Sequence, residues 1–183
     1  MSKSLVKPSN YQNIKEILGI TAQTTRKVLK CDRVMVYDAS NLPHAEVIAE
    51  SVDAKFTSLL GTTIFDPFLT GDYLELYCYG RAVTIDDIDS TEIENSQLEN
   101  LKQLNVKSLA IAPIAAGNEL LGFLVAHQCL IAQPWHSQIS SLLTEKANAA
   151  SYALANIAQA QKQVNLAVEP TVETQANGNI PTM

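Results

Sequence analysis

The chain has 183 residues, 46% hydrophobic and 17% charged, with a net charge of −6, a length that suits one domain with a tail. Weak acidity without any strongly basic window excludes a nucleic-acid backbone and a charged membrane surface as partners, since both need clustered Lys and Arg. Residues 1–10 lack a signal-peptide-like apolar stretch and no run approaches the roughly 20 apolar residues of a bilayer span, so the expectation is a cytoplasmic protein without membrane insertion.

Ile14, Leu18, Thr21, Thr25 and Val28 recur at spacings of three and four, which predicts an amphipathic helix over residues 11–30. Ser9 or Asn10 after Pro8 suits its cap, and Gly19 weakens its middle. A strand follows over 33–38, with Val34 and Val36 facing one way and Met35 and Tyr37 the other. Residues 45–51 form a second strand and the pair makes a hairpin across the 39–43 loop. Farther on, Phe56, Leu59 and Leu60 suggest a short helical turn, and residues 62–70, with Asp66 and Pro67, read as irregular. Residues 72–79 form a helix with Tyr73, Leu74 and Tyr77 on one side, stopped at Gly80.

Residues 82–85 read as a strand, followed by solvated acids at Asp86, Asp87 and Asp89, which lack the spacing and glycine of a calcium loop. A helix is predicted over 92–104, with Ile93, Leu98, Leu101 and Leu104 inward and Ser90 or Thr91 as its cap. The strongest strands are 106–114 and 119–128, joined by the turn signal Gly117-Asn118. Pro113 has no N–H and belongs on an edge or at a bulge. The last helix is predicted over 137–164, opened by a buried Trp135 and striped by Ile139, Leu143, Ala147, Ala150, Leu154 and Ala158. Pro170, Gly178 and Pro181 break the pattern beyond it. The expected division is an extension over 1–9, a domain over 10–164 and a disordered tail over 165–183. Hairpin-linked strands imply an α/β (α+β) architecture: a central antiparallel sheet with the first and last helices on one face.

A family resemblance rests on eight stretches in order: VLKCDRVMVY from Val28, EVIAESV from Glu46, LLGTTIFDP from Leu59, YLELYCYGR from Tyr73, IDDI from Ile85, NVKSLAIAPI from Asn105, LLGFLVAHQC from Leu120 and QPWHSQISSLL from Gln133. Over residues 10–160 the chain resembles the GAF domains of cyanobacterial phytochromes and cyanobacteriochromes. The resemblance implies a GAF fold, with irregular helical segments over a pocket face. In bilin-binding members a Cys-His pair sits early in the helix before the NVKS strand. Ser96 and Gln97 stand there, and a serine hydroxyl is too weakly acidic and nucleophilic to replace a thiolate. A second cysteine, in an Asp-x-Cys-Phe motif of some members, is replaced by the run Asp66-Pro67-Phe68-Leu69. No covalent chromophore is therefore expected.

The resemblance also gives pocket candidates, each with a plainer alternative. Asp66 matches a carboxylate that contacts bilin pyrrole nitrogens, and also reads as a loop aspartate capping a backbone N–H. Tyr73, with Tyr77 and Tyr79, lines a pocket or packs a helix face. His127 lies near the pocket in relatives, or is a hydrogen-bonded structural histidine. Cys31 and Cys129 read as buried structural thiols. Cys78 is a surface thiol, a redox switch or an unusual bilin anchor. Neither metal-ligand nor disulfide spacing is present.

The expected function is a non-catalytic signalling or adaptor domain in a cyanobacterial sensory pathway. It acts in trans, as a homodimer or with another GAF protein, through its first and last helices, toward a histidine kinase, chemoreceptor or response regulator. One alternative is a sensor for a non-covalently held bilin or other planar molecule. The other is the GAF branch that reduces free methionine sulfoxide, disfavoured because the three cysteines do not group.

Overall fold

A computed structural model describes residues 11–168. In chain order it runs α1 (Tyr11–Leu29), β1 (Arg33–Asp38), β2 (His44–Val52), β3 (Thr63–Phe65), α2 (Asp72–Cys78), β4 (Val83–Ile85), α3 (Asn95–Gln103), β5 (Ser108–Ala116), β6 (Glu119–Gln128) and α4 (Ser137–Val168), with single 3-10 turns at Pro67–Leu69 and Ile88–Ser90. The strands form one antiparallel sheet in the order β3-β2-β1-β6-β5-β4. Gly117, at φ 61°, turns the β5–β6 hairpin, a conformation that costs glycine little. No helix among the described residues is long and apolar enough to cross a membrane.

The sheet separates two cores. All six residues of β1 are buried, because the strand is covered on both faces. Val34 and Val36 enter a core shared with α1 and α4, whereas Met35 and Tyr37 enter a second core with the 3-10 turn at Pro67–Leu69, α2 and α3. The two long helices pack against each other and on the sheet. Ala147 and Ala150 of α4 are buried in that core with Leu143 and Leu154. The small side chains thus serve packing within one chain, and this stripe is not left over for a second subunit.

Several expected boundaries move, each for a local reason. The buried stripe of α1 is Ile14, Leu18, Ala22, Thr25 and Leu29, while Val28 is 52% exposed; stepping from 18 to 22 keeps phase with the 3.6-residue turn. No helical turn forms at Phe56, Leu59 and Leu60, and the segment is a loop, because its backbone is held by side chains from the sheet, as described below. The stretch expected to be irregular is ordered instead: β3 pairs with β2, and Asp66 caps the 3-10 turn that Pro67 opens. Helix α3 starts at Asn95 without a side-chain cap, because the hydroxyls of Ser90 and Thr91 bond to Asp87 and serve the preceding 3-10 turn. Its other end closes with Asn105 at φ 60° and N–H bonds from Asn105 and Val106 back to Lys102 and Leu101, a Schellman motif. That motif takes Val106 away from β5, whereas the Lys107 N–H still bonds to the Gln128 carbonyl of β6. Pro113 pairs with β6 one residue before a register shift, beyond the last residue of β5 that β4 reaches.

Helix α4 continues to Val168, past the expected end at residue 164, since the first residue unable to continue a helix is Pro170. The expected disorder of the rest of the tail, the N-terminal extension and the Ser9 or Asn10 cap fall outside the described residues.

Candidate functional site

The second core, under the short elements, holds Tyr37, Tyr73 and Tyr77, with Asp66 buried beside it. Asp66 follows β3 and is fully buried. Its Oδ1 accepts the Phe68 N–H at 2.9 Å, the plain capping role. Its Oδ2 is buried with no hydrogen-bond partner. Burial pushes the Asp66 carboxyl up to about 6, against the pull of the Phe68 N–H. Burial, helped by the Asp66 charge, raises the phenol of Tyr37, in the middle of the sheet, well above the usual range; its hydroxyl also lacks a partner.

Aromatic rings close this layer. Phe68 packs edge-on to Tyr73 with centroids 5.3 Å apart, and Tyr77 packs edge-on to Phe123 at 5.0 Å. The Tyr77 hydroxyl donates to the Phe68 carbonyl at 3.1 Å. Phe68 and Tyr77 are fully buried, whereas Tyr79 is 80% exposed. Tyr73 thus packs from α2 against Phe68 at the edge of the second core.

His127 stands opposite Arg33 in the β1–β6 register. Neither ring nitrogen has a hydrogen-bond partner, so the plain expectation of a hydrogen-bonded histidine is not met. Burial, helped by the Arg33 charge, drops the imidazole to about 3 and keeps it neutral. Arg33 was not singled out by sequence, nor was its neighbour Glu50. Their ion pair, Nε to Oε1 at 3.4 Å, is almost wholly buried. A buried arginine is readable from sequence only once the strand around it is known to be covered on both faces.

Ser96 and Gln97 lie apart from these groups in burial. Both sit in the first turn of α3, Ser96 exposed and Gln97 half-buried. Ser96 thus presents a solvent-facing hydroxyl. Cys78 faces solvent on α2, which does not suit an anchor inside the buried layer. Burial raises the Cys31 thiol to about 12 and the Cys129 thiol to about 11, leaving both inert at neutral pH. The acids after β4 have separate structural tasks. Asp86 accepts the Trp135 backbone N–H at 2.8 Å, Asp87 caps the 3-10 turn, and Asp89 pairs with Lys102 at 2.8 Å.

The comparisons with known proteins agree with this architecture. The family model described as GAF domain matches residues 13–154. A protein of Synechocystis sp. named as a methyl-accepting chemotaxis protein is 38% identical over 124 residues, which cover 68% of this chain and 12% of that protein. An uncharacterized protein of Picosynechococcus sp. is 30% identical over 131 residues, 72% of this chain and 76% of the relative. Among solved structures, the blue-light-absorbing form of the Thermosynechococcus elongatus PixJ GAF domain superposes with a TM-score of 0.81 at 25% identity, covering 88% of this chain and 96% of that one. The red-light-absorbing state of a red/green cyanobacteriochrome, NpR6012g4, gives 0.72 at 30% identity, covering 81% and 98%.

Proposed function

Because the chain belongs to the GAF domain family, we propose that it is a non-catalytic, cytoplasmic sensory domain that takes a small planar ligand around Asp66 without a covalent bond. One observation carries the reading: Asp66 Oδ2 and the Tyr37 hydroxyl are both buried and unpartnered in one layer. Unpaired buried polar groups of this kind are costly, and a ligand with N–H donors relieves the cost at the carboxylate. A thioether fits poorly, because Ser96 is an exposed hydroxyl. A bilin, such as the biliverdin bound in one far-red-absorbing solved neighbour, would be held by Asp66 with Tyr73 beside it and His127 farther along the sheet opposite Arg33, and would supply light absorption when bound. Phe68 and Tyr77 fill the layer, so entry involves rearrangement of these side chains.

Output passes through the outer faces of α1 and α4, where Ile20, Val28 and Tyr152 stay exposed, to a second copy, another GAF domain, or a chemoreceptor, kinase or response regulator. The test is co-expression with bilin-synthesis enzymes. Coloured protein that loses its pigment on acid denaturation, and is colourless as Asp66→Asn, is the expected result. Pigment that stays attached after denaturation defeats the non-covalent reading. Colourless wild-type protein that also fails to take up free biliverdin defeats the bilin version, leaving an adaptor acting through its helices.

A further inference from the structure

Arg33 reaches two separate covers of the buried layer at once. Its Nη1 donates to the carbonyl of Leu104, the C-cap of α3, at 2.9 Å. Its Nη2 donates to the carbonyl of Thr57, in the loop between β2 and β3, at 3.1 Å. Glu50, beside it, holds the same loop from the other side, accepting the Leu59 N–H at 3.0 Å and the Ser58 hydroxyl. The Schellman motif already engages the Leu101 and Lys102 carbonyls, so Arg33 takes a carbonyl at the negative end of α3 that the motif leaves open. A planar guanidinium with fixed donor directions can serve two carbonyls and a carboxylate together.

We propose that Arg33 and Glu50 form a buried latch that makes the Thr57–Leu59 loop and the C-terminal end of α3 open and close as one unit. Displacement of either cover strips a partner from a desolvated charge, and the other cover loses its anchor with it. The latch joins the loop on the β2 side of the layer to the helix that carries Ser96 and Gln97. It stands independently of any ligand, so its test uses ligand-free protein and does not depend on the reading above.

The experiment is amide hydrogen exchange on the full chain carrying Arg33→Lys, which keeps the charge beside Glu50 but has one compact donor head. Exchange at Leu59 and at Asn105 and Val106 is expected to rise together by about tenfold, the loss of roughly one hydrogen bond to a charged group at each end. Amides of the β5–β6 ladder serve as the reference for global unfolding. Loosening of one cover with the other unchanged relative to that reference, or of neither, overturns the latch. Glu50→Gln is the second variant and decides the matter if Arg33→Lys does not fold. It leaves both Arg33 carbonyl bonds formally possible, and a latch predicts that both covers still loosen, whereas independent covers predict a change at Leu59 alone.

Discussion

The two faces of the sheet are covered by different kinds of structure. On one face, two long helices bury Leu18, Leu143, Ala147 and Leu154 against Val34 and Val36. Its unpartnered buried polar atoms are the Thr25 hydroxyl and the Trp135 indole nitrogen, neither of which titrates near neutral pH. On the other face the cover is pieced together from a loop, a 3-10 turn and the short helices α2 and α3. There, among the described residues, the buried polar atoms without a hydrogen-bond partner belong to Arg33, Tyr37, Asp66 and His127, all ionisable. Regular apolar packing is thus concentrated on one face, and inward-facing ionisable groups on the other, where the covering elements are short.

Acid is the strongest way to separate the faces. His127 is held at about 3, below its value of about 6.5 in an unfolded chain. Its neutral form is the one folding favours, so its contribution to stability is complete above pH 6.5 and is lost as the pH falls toward 3. The total is on the order of 5 kcal/mol. Denaturant midpoints measured across this range should fall for wild type, and His127→Leu should flatten that limb. An unchanged limb would move the acid sensitivity away from this face. Next in size is Leu143→Ala on the helix face. Leu143 is fully buried, so about 3–4 kcal/mol should be lost through transfer and cavity terms. That loss should be independent of pH, with no effect on ligand uptake.

How far each face could be read in advance follows from the same contrast. The helix face is written in period: Leu143, Ala147, Ala150 and Leu154 recur as a helix requires, and the alternation of Val34 to Tyr37 correctly divides the two cores. On the other face, local signals compete with distant ones. Phe56 to Leu60 has helical spacing, but Arg33 and Glu50 hold its backbone as a loop from the neighbouring strands. Ser90 and Thr91 look like caps for α3 and are taken by Asp87. Asp66 and His127 rest on family resemblance and Tyr73 on its aromatic neighbours at helical spacing, and the sheet has all three on this face. Nothing local distinguishes the unpaired head group of Tyr37, or the ion-paired ones of Arg33 and Glu50, from those of ordinary strand residues.

Asp66→Asn sharpens the contrast from the opposite sign. The carboxyl sits at about 6 in the fold against an ordinary value of 3.8. Its protonated form is the favoured one, so its contribution is complete below pH 3.8 and is lost as the pH rises through 6. Near neutral pH the charged group therefore costs about 3 kcal/mol. Asp66→Asn should raise stability at pH 7.5 by up to about that amount and leave it little changed at pH 4, read from denaturant midpoints at the two pH values. Because His127 loses stability over an overlapping interval, the two partly offset in wild type, and the single variants expose each limb. If Asp66→Asn is destabilising at pH 7.5, Oδ2 is engaged by a partner in solution.

The smallest effect tests phase on the helix face. Val28 and Leu29 are adjacent in α1, yet Val28 is 52% exposed and Leu29 is 5% exposed. The spacing read from sequence assigned the buried position to Val28; the structure assigns it to Leu29. Val28→Ser should change stability by less than about 0.5 kcal/mol, as expected for a surface substitution, while Leu29→Ala should cost about 2 kcal/mol or more. Chemical denaturation of the two variants decides between the two phases, since a reversal of their order would rotate α1 on the sheet and expose Leu18 and Ala22 together. The same pair bears on association. If Val28→Ser leaves stability at low concentration unchanged but shifts a monomer–dimer equilibrium in analytical ultracentrifugation, the outer face of α1 is a contact between copies. Absence of any shift leaves α1 with packing as its task.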